Sequence, residues 1–225
     1  MIKTNLIWLI VLVLIIVAFA GFIAFGYLST KDDQEKYSFT RNFPFEINKN
    51  YLSRTFSYLC GGFAFLPLTF ILPLYSDFGT LGFYSVFVVC VFGFTALAAS
   101  ALVNLPTTYL KPHIVLSTIV MALAFLCAAL TTIYSVLVCN ISMRSGHSGG
   151  LQIAFAAIAG LLAIGMLVLI LNPKLAKWAK LEEVIIDNQK AYTRGKFFPL
   201  AYSEWAALLV IFLSEILFLG SMISL

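Results

Sequence analysis

Between Leu6 and Gly26 no residue carries a charge, and the stretch is long enough for a helix to cross the hydrocarbon of a bilayer. Five further runs share this character, at 56–75, 81–103, 113–138, 151–171 and 201–225. A chain with six such runs has few folds open to it. Composition closes the soluble ones: 61% of the residues are hydrophobic and 11% charged, with a mean hydropathy of +0.99. A soluble domain carries roughly a quarter charged residues, and no fold of this size hides so much apolar surface from water. Lipid has to be the solvent.

The runs are apolar on every side and lack two-residue alternation, which argues for helices and against the short, half-polar strands of a membrane barrel. A spanning segment must also satisfy its own backbone in lipid, which a helix does. Turn chemistry separates the runs at Pro73 and Asp77–Gly79, at Pro106 and Pro112, at Ser145–Gly150, and at Asn172–Pro173. The expected fold is an all-α, polytopic membrane helix bundle of about six transmembrane helices in a single membrane domain.

Orientation follows from lysine and arginine. Twelve of the fourteen cations fall in the segments after the first, third and fifth runs, and only Lys3 and Arg144 fall on the other side. Both termini are therefore expected on the non-cytoplasmic face, with segments 29–53 and 173–196 in the cytoplasm. Lys3, the first apolar run and Ala18-Phe19-Ala20 have the look of a cleavable signal. However, the run continues through Phe22, Ile23 and Phe25, and cleavage would invert the later helices against the charge bias. A retained anchor is the expectation. With no transit peptide visible, the expected location is a bacterial inner membrane, an organelle membrane being the alternative.

The two cytoplasmic segments have content of their own. In the first, Ser29 or Thr30 is placed to cap a short helix, and the aromatic and basic stretch from Tyr37 to Glu46 suits either the headgroup level or the helix ends. In the second, Leu175, Trp178, Leu181 and Ile185 share one side of a helix and Glu183 and Asp187 the other. That pattern predicts an amphipathic surface helix, with Trp178, Lys174, Lys177 and Lys180 as interfacial or partner-contacting residues.

Catalytic signatures are sparse. The two histidines, His113 and His147, are expected at opposite faces of the membrane, so they cannot share a metal or haem. No metalloprotease, phosphate-loop or dinucleotide motif is present. Cys60, Cys90, Cys127 and Cys139 form no close pair and read as small apolar residues. No catalytic residue, metal or cofactor is expected. Nucleic acid is not an expected partner, because the cations lie in short segments between apolar runs.

Glu215 stands apart. It lies about ten residues from either end of its apolar run, roughly 15 Å deep, where an acid must be paired, neutralised or hydrated. No cation is expected at its depth. Its expected partners are hydroxyls such as Ser214, Thr69, Thr95, Thr131 or Thr132, a water-filled cavity, or another chain. Glu204, beside Trp205, and His113, after Pro112, are read as polar residues at helix ends. Small residues four apart mark helix-packing faces: Gly150 and Ala154, Ala156 and Gly160, Ala159 and Ala163 in the 151–171 run, which is expected at the centre of the bundle, and also Ala96 and Ser100.

Taken together, these features predict a non-enzymatic membrane protein that works in the bilayer through protein partners, as an accessory or assembly subunit of a larger complex. The alternative is a small transporter or channel that uses Glu215 as a proton or cation site. A third possibility is a lipid-modifying enzyme built on His113, Glu204 or Glu46.

Overall fold

The computed structural model describes residues 2–31, 37–172, 182–186, 189–195 and 197–223. The chain is a helical bundle. Helix α1 spans Ile2–Ser29, a single turn α2 Pro44–Ile47, α3 Tyr51–Phe63, α4 Leu66–Asn104, α5 Leu110–Arg144, α6 Gly150–Leu171 and α7 Pro199–Ile223. Among the described residues five stretches are long and apolar enough to cross a membrane: Leu6–Ser29, Leu81–Asn104, Lys111–Arg144, Gly150–Leu171 and Pro199–Ile223.

The second expected run, 56–75, differs from the expectation. Its helix stops at Phe63 and restarts at Leu66. Pro67, in the first turn of α4, lacks an N–H, and its ring would meet the carbonyl of Phe63 if the helix ran on. The turn expected at Asp77–Gly79 is absent as a break in secondary structure, since α4 is helical from Leu66 to Asn104. Yet α4 is not straight. A straight helix would set Leu66 and Gly93 about 40 Å apart, whereas the ring of Phe65 lies on Gly93 and meets Phe94 edge-on at 5.8 Å. Further along, a side chain on Gly61 would meet Ser100, and the Ser100 hydroxyl donates to the carbonyl of Ser57 at 2.7 Å. Asn104 donates to Ser57 Oγ at 3.3 Å. These pairings are antiparallel, and their register puts the apex of the reversal near Gly79, within the stretch that also carries Pro73. Helix α3 and the start of α4 thus form one arm lying against Leu81–Asn104.

The 173–196 segment is also corrected in part. Residues 182–193 form an antiparallel hairpin, β1 Glu182–Ile186 with β2 Gln189–Thr193, in which Ile186 pairs with Gln189. Val184, Ile185 and Ile186 are consecutive β-branched residues, which lose rotamer freedom in a helix and suit a strand. The expected helix therefore does not extend through Ile185, while Leu175 and Leu181 of the same stripe lie outside the described residues. Trp178, Lys174, Lys177 and Lys180 lie outside the described residues.

Helix α7 occupies the middle, packed by α1, α4, α5 and α6. The expectation that 151–171 would be central is overturned: α6 packs on α5 and α7 and leaves Leu151, Ile153, Ile158, Leu161, Ile164 and Val168 exposed. Only one of its faces carries enough small residues for close approach, namely Ala156, Ala159 and Ala163, while the large aliphatics on the others are left for lipid. Ala156 is buried as expected, and Gly160 faces Thr132. Gly150 and Ala154 are exposed, so that pair is not a packing contact. The buried stripe starts from Gln152 instead.

The described parts of 29–53 and 173–196 meet at one rim. Phe198 N–H donates to the Thr40 carbonyl at 2.8 Å, and Arg194 forms an ion pair with Glu46 while its guanidinium lies 4.8 Å from the Phe43 ring centre. Tyr37–Glu46 therefore covers the helix ends. Trp205 Nε1 donates to Tyr37 and to the Asn42 carbonyl, both at 3.0 Å, and Tyr37 donates to the Phe43 carbonyl at 2.9 Å. Burial pushes the Tyr37 phenol well above its ordinary range, so it keeps the proton this arrangement uses.

Candidate functional site

Two polar centres lie along α7. Glu204 and Glu215 are separated by eleven residues, about three helical turns and 16 Å of rise, so they fall on nearly the same face.

The outer centre sits under the rim. His113 Nδ1 is 2.8 Å from the Leu105 carbonyl, which can only accept, so this nitrogen carries a proton. His113 Nε2 is 2.9 Å from Glu204 Oε1, with one proton shared between them. The Ser117 hydroxyl lies 2.5 Å from the same carboxylate oxygen and 2.8 Å from the His113 carbonyl. The rings of Phe43 and Phe45 close over the imidazole at 5.3 and 5.7 Å. His113 is 0% and Glu204 1% exposed. Neither is the bland helix-end residue that the sequence suggested. The group ties α5, α7 and the 105–109 turn together. A nucleophile and base pair needs the hydroxyl on the imidazole, but Ser117 engages the carboxylate and the backbone. Glu46, the third residue of the enzyme reading, is occupied by Arg194 and by the Phe43 N–H.

The inner centre is Glu215, which is 6% exposed, with Oε1 buried and without a hydrogen-bond partner among the described residues. Of its expected partners, Ser214 is close only in sequence. Ser214 Oγ is itself buried and unpartnered, and the Ser214 carbonyl accepts from Thr131 at 3.2 Å. Thr95 and Thr132 bond backbone carbonyls one turn back along their own helices. The side chain of Thr69 lies outside the described residues.

What Glu215 does line is a partly open cavity of about 60 Å³ between α1, α3, α4 and α7. The cavity runs from the level of Val103 and Leu208, one turn below the rim, down to Glu215, about 10 Å along α7. Its two sides differ. Ser57, Cys60 and Ser100 line it from α3 and α4, while Phe19, Phe22 and Phe212 line it from α1 and α7. Phe19 and Phe212 stack at 4.1 Å. The helical break at Ala64–Phe65 and the reversal of α4 are what bring Ser57 and Ser100 together here.

Comparison with known proteins gives no matching family model, no similar curated protein and no similar solved structure. The reading of this site therefore rests on its own chemistry.

Sequence reasoning found Glu215 but did not name Ser57, and it read Cys60 only as a small apolar residue and Ser100 only as a packing residue, because the packing of α3 on Leu81–Asn104 depends on a chain reversal near Gly79. It grouped His113 and Glu204 only as candidates of the enzyme reading and did not pair them. A usable signal was present: both lie at or within one turn of the start of apolar runs that begin at the same rim.

Proposed function

We propose that this chain is a small, non-enzymatic, multi-pass membrane protein that moves or gates a proton or cation, with Glu215 as the working group. The observation that carries this reading is the buried Glu215, which lines a cavity between the helices and whose Oε1 has no hydrogen-bond partner among the described residues, because an ionisable group left unpaired inside the membrane marks an ion or substrate path. The basic rim, where the described parts of 29–53 and 173–196 meet, faces the cytoplasm in this proposal, so the cavity approaches Glu215 from the cytoplasmic side. A bacterial inner membrane is the proposed setting.

The accessory-subunit reading has less to draw on. Within the 29–53 segment, the stretch Tyr37–Glu46 is spent on the protein's own helix ends, and the exposed apolar face of α6 is what lipid alone requires.

The test is flux. In proteoliposomes, an imposed pH gradient drives cation movement with the wild-type chain, and Glu215→Gln abolishes it while leaving circular dichroism and detergent elution unchanged. Wild-type flux retained by Glu215→Gln removes the carboxylate from the mechanism.

A further inference from the structure

We infer that the Glu215 cavity is a binding site for a small organic ammonium compound rather than for an inorganic metal cation. This builds on the reading of Glu215 as the working group and names the class of ligand it takes.

The donor set argues first. An inorganic cation that gives up its water needs roughly six or more oxygens around it if it is of the calcium type, or a rigid octahedron if it is magnesium. The cavity offers one carboxylate and the hydroxyls of Ser57 and Ser100. Those hydroxyls are partly spent: Ser57 Oγ donates to the Arg54 carbonyl at 2.8 Å and accepts from Asn104, while Ser100 Oγ donates to the Ser57 carbonyl. Among the described residues no three His, Cys, Asp or Glu gather where a metal ion could be held.

The rest of the wall argues second. Phe19, Phe22 and Phe212 present aromatic surface opposite the hydroxyls. Alkylated ammonium ions are recognised by this pairing, with aromatic faces around the alkyl groups and a carboxylate as counter-charge. Such an ion carries its charge on a core that needs few oxygens, and its methyl groups fit an apolar wall. It also gives the Glu215 carboxylate a counter-charge inside the cavity that this residue lines.

Size argues third. A cavity of about 60 Å³ has room for more than one water and so for a compact cation of the size of tetramethylammonium. Tetrabutylammonium is far too large.

The experiment uses the full chain in detergent micelles at alkaline pH and follows thermal unfolding against added chloride salts at matched ionic strength. Tetramethylammonium raises the midpoint saturably, while sodium and tetrabutylammonium leave it where it was. Glu215→Gln removes the shift, and Phe212→Leu raises the half-saturating concentration about tenfold. The cation series is read on the wild-type chain, so the outcome does not depend on either variant folding. If sodium stabilises as well as tetramethylammonium and both effects need Glu215, the cavity takes inorganic cations: the proposed function stands and this inference fails. If no cation of the series shifts the midpoint, the inference fails, and with flux also absent the proposed function fails too.

Discussion

Adding one methyl group at Gly93 tests the geometry on which the cavity depends. A Cβ built there falls inside the van der Waals envelope of the Phe65 ring, against three ring atoms at once. In a helix, glycine to alanine ordinarily gains about 0.5–1 kcal/mol from backbone entropy. At Gly165, where nothing lies within 4 Å of the added carbon, that gain is expected in full. At Gly93 the ring has to move, and overpacking of this kind costs about 1–3 kcal/mol. The two substitutions, chemically identical and both in apolar helices, should therefore differ in sign. Reversible unfolding by sodium dodecyl sulfate in mixed micelles supplies the free energies. A cycle with Phe65→Leu supplies the cause: in that background Gly93→Ala should lose its penalty and stabilise by about 0.5–1 kcal/mol as at Gly165, leaving a coupling of about 1–3 kcal/mol. If Gly93→Ala stabilises as Gly165→Ala does, or if the two changes simply add, then Phe65 does not rest on Gly93. The antiparallel arm of α3 and α4 would then be wrong.

At the rim, Glu204→Ala or His113→Ala alone strands a buried partner and should cost about 3–5 kcal/mol in the same assay, with the double variant costing clearly less than the two combined. Additive losses would mean that the pair is not coupled. On α6, Ala159→Leu should destabilise by about 1–3 kcal/mol because Ala159 is fully buried, whereas Gly150→Leu, into open space, should be near neutral; equal effects would return α6 to the centre of the bundle. Single cysteines at Lys49 and Phe197 should react with an impermeant maleimide from one side of sealed vesicles, and a cysteine at His147 only from the other. Labelling of Lys49→Cys and Phe197→Cys from opposite sides would break the rim that Arg194 and Glu46 close.

Much of this was legible in the sequence, and the misses have identifiable causes. Apolar runs and their polar breaks specified α1, α5, α6 and α7 closely, because lipid imposes one length scale and one backbone solution on a spanning segment. Charge distribution placed the described parts of 29–53 and 173–196 at one rim, as the contacts of Glu46 with Arg194 and of Thr40 with Phe198 bear out. Pro67 was the overlooked break in the 56–75 run. Conversely, the turn expected at Asp77–Gly79 leaves no gap in the helical assignment of α4, although the contacts of Phe65 with Gly93 and of Ser57 with Ser100 place the chain reversal there. The hairpin at 182–193 was hidden by apolar spacing that fits a helix and a strand equally until β-branching is weighed. Small-residue spacing, the cheapest of the signals used, placed Ala156 correctly and Gly150 and Ala154 wrongly, since the same spacing serves faces that meet a neighbour and faces that meet lipid. Burial of Glu215 followed from its depth alone. Its cavity did not, because Ser57 and Ser100 lie far apart in the chain and meet only through the folded arm.

Cys60 offers the most direct view of whether Glu215 governs an accessible cavity, since its thiol lines the same space. With Cys90, Cys127 and Cys139 replaced by alanine, the rate of Cys60 modification by a small cationic methanethiosulfonate can be compared with that by its anionic counterpart. The account predicts faster reaction with the cationic reagent, loss of that preference in Glu215→Gln, and protection by tetramethylammonium. Equal rates for the two reagents, unchanged by Glu215→Gln, would contradict it.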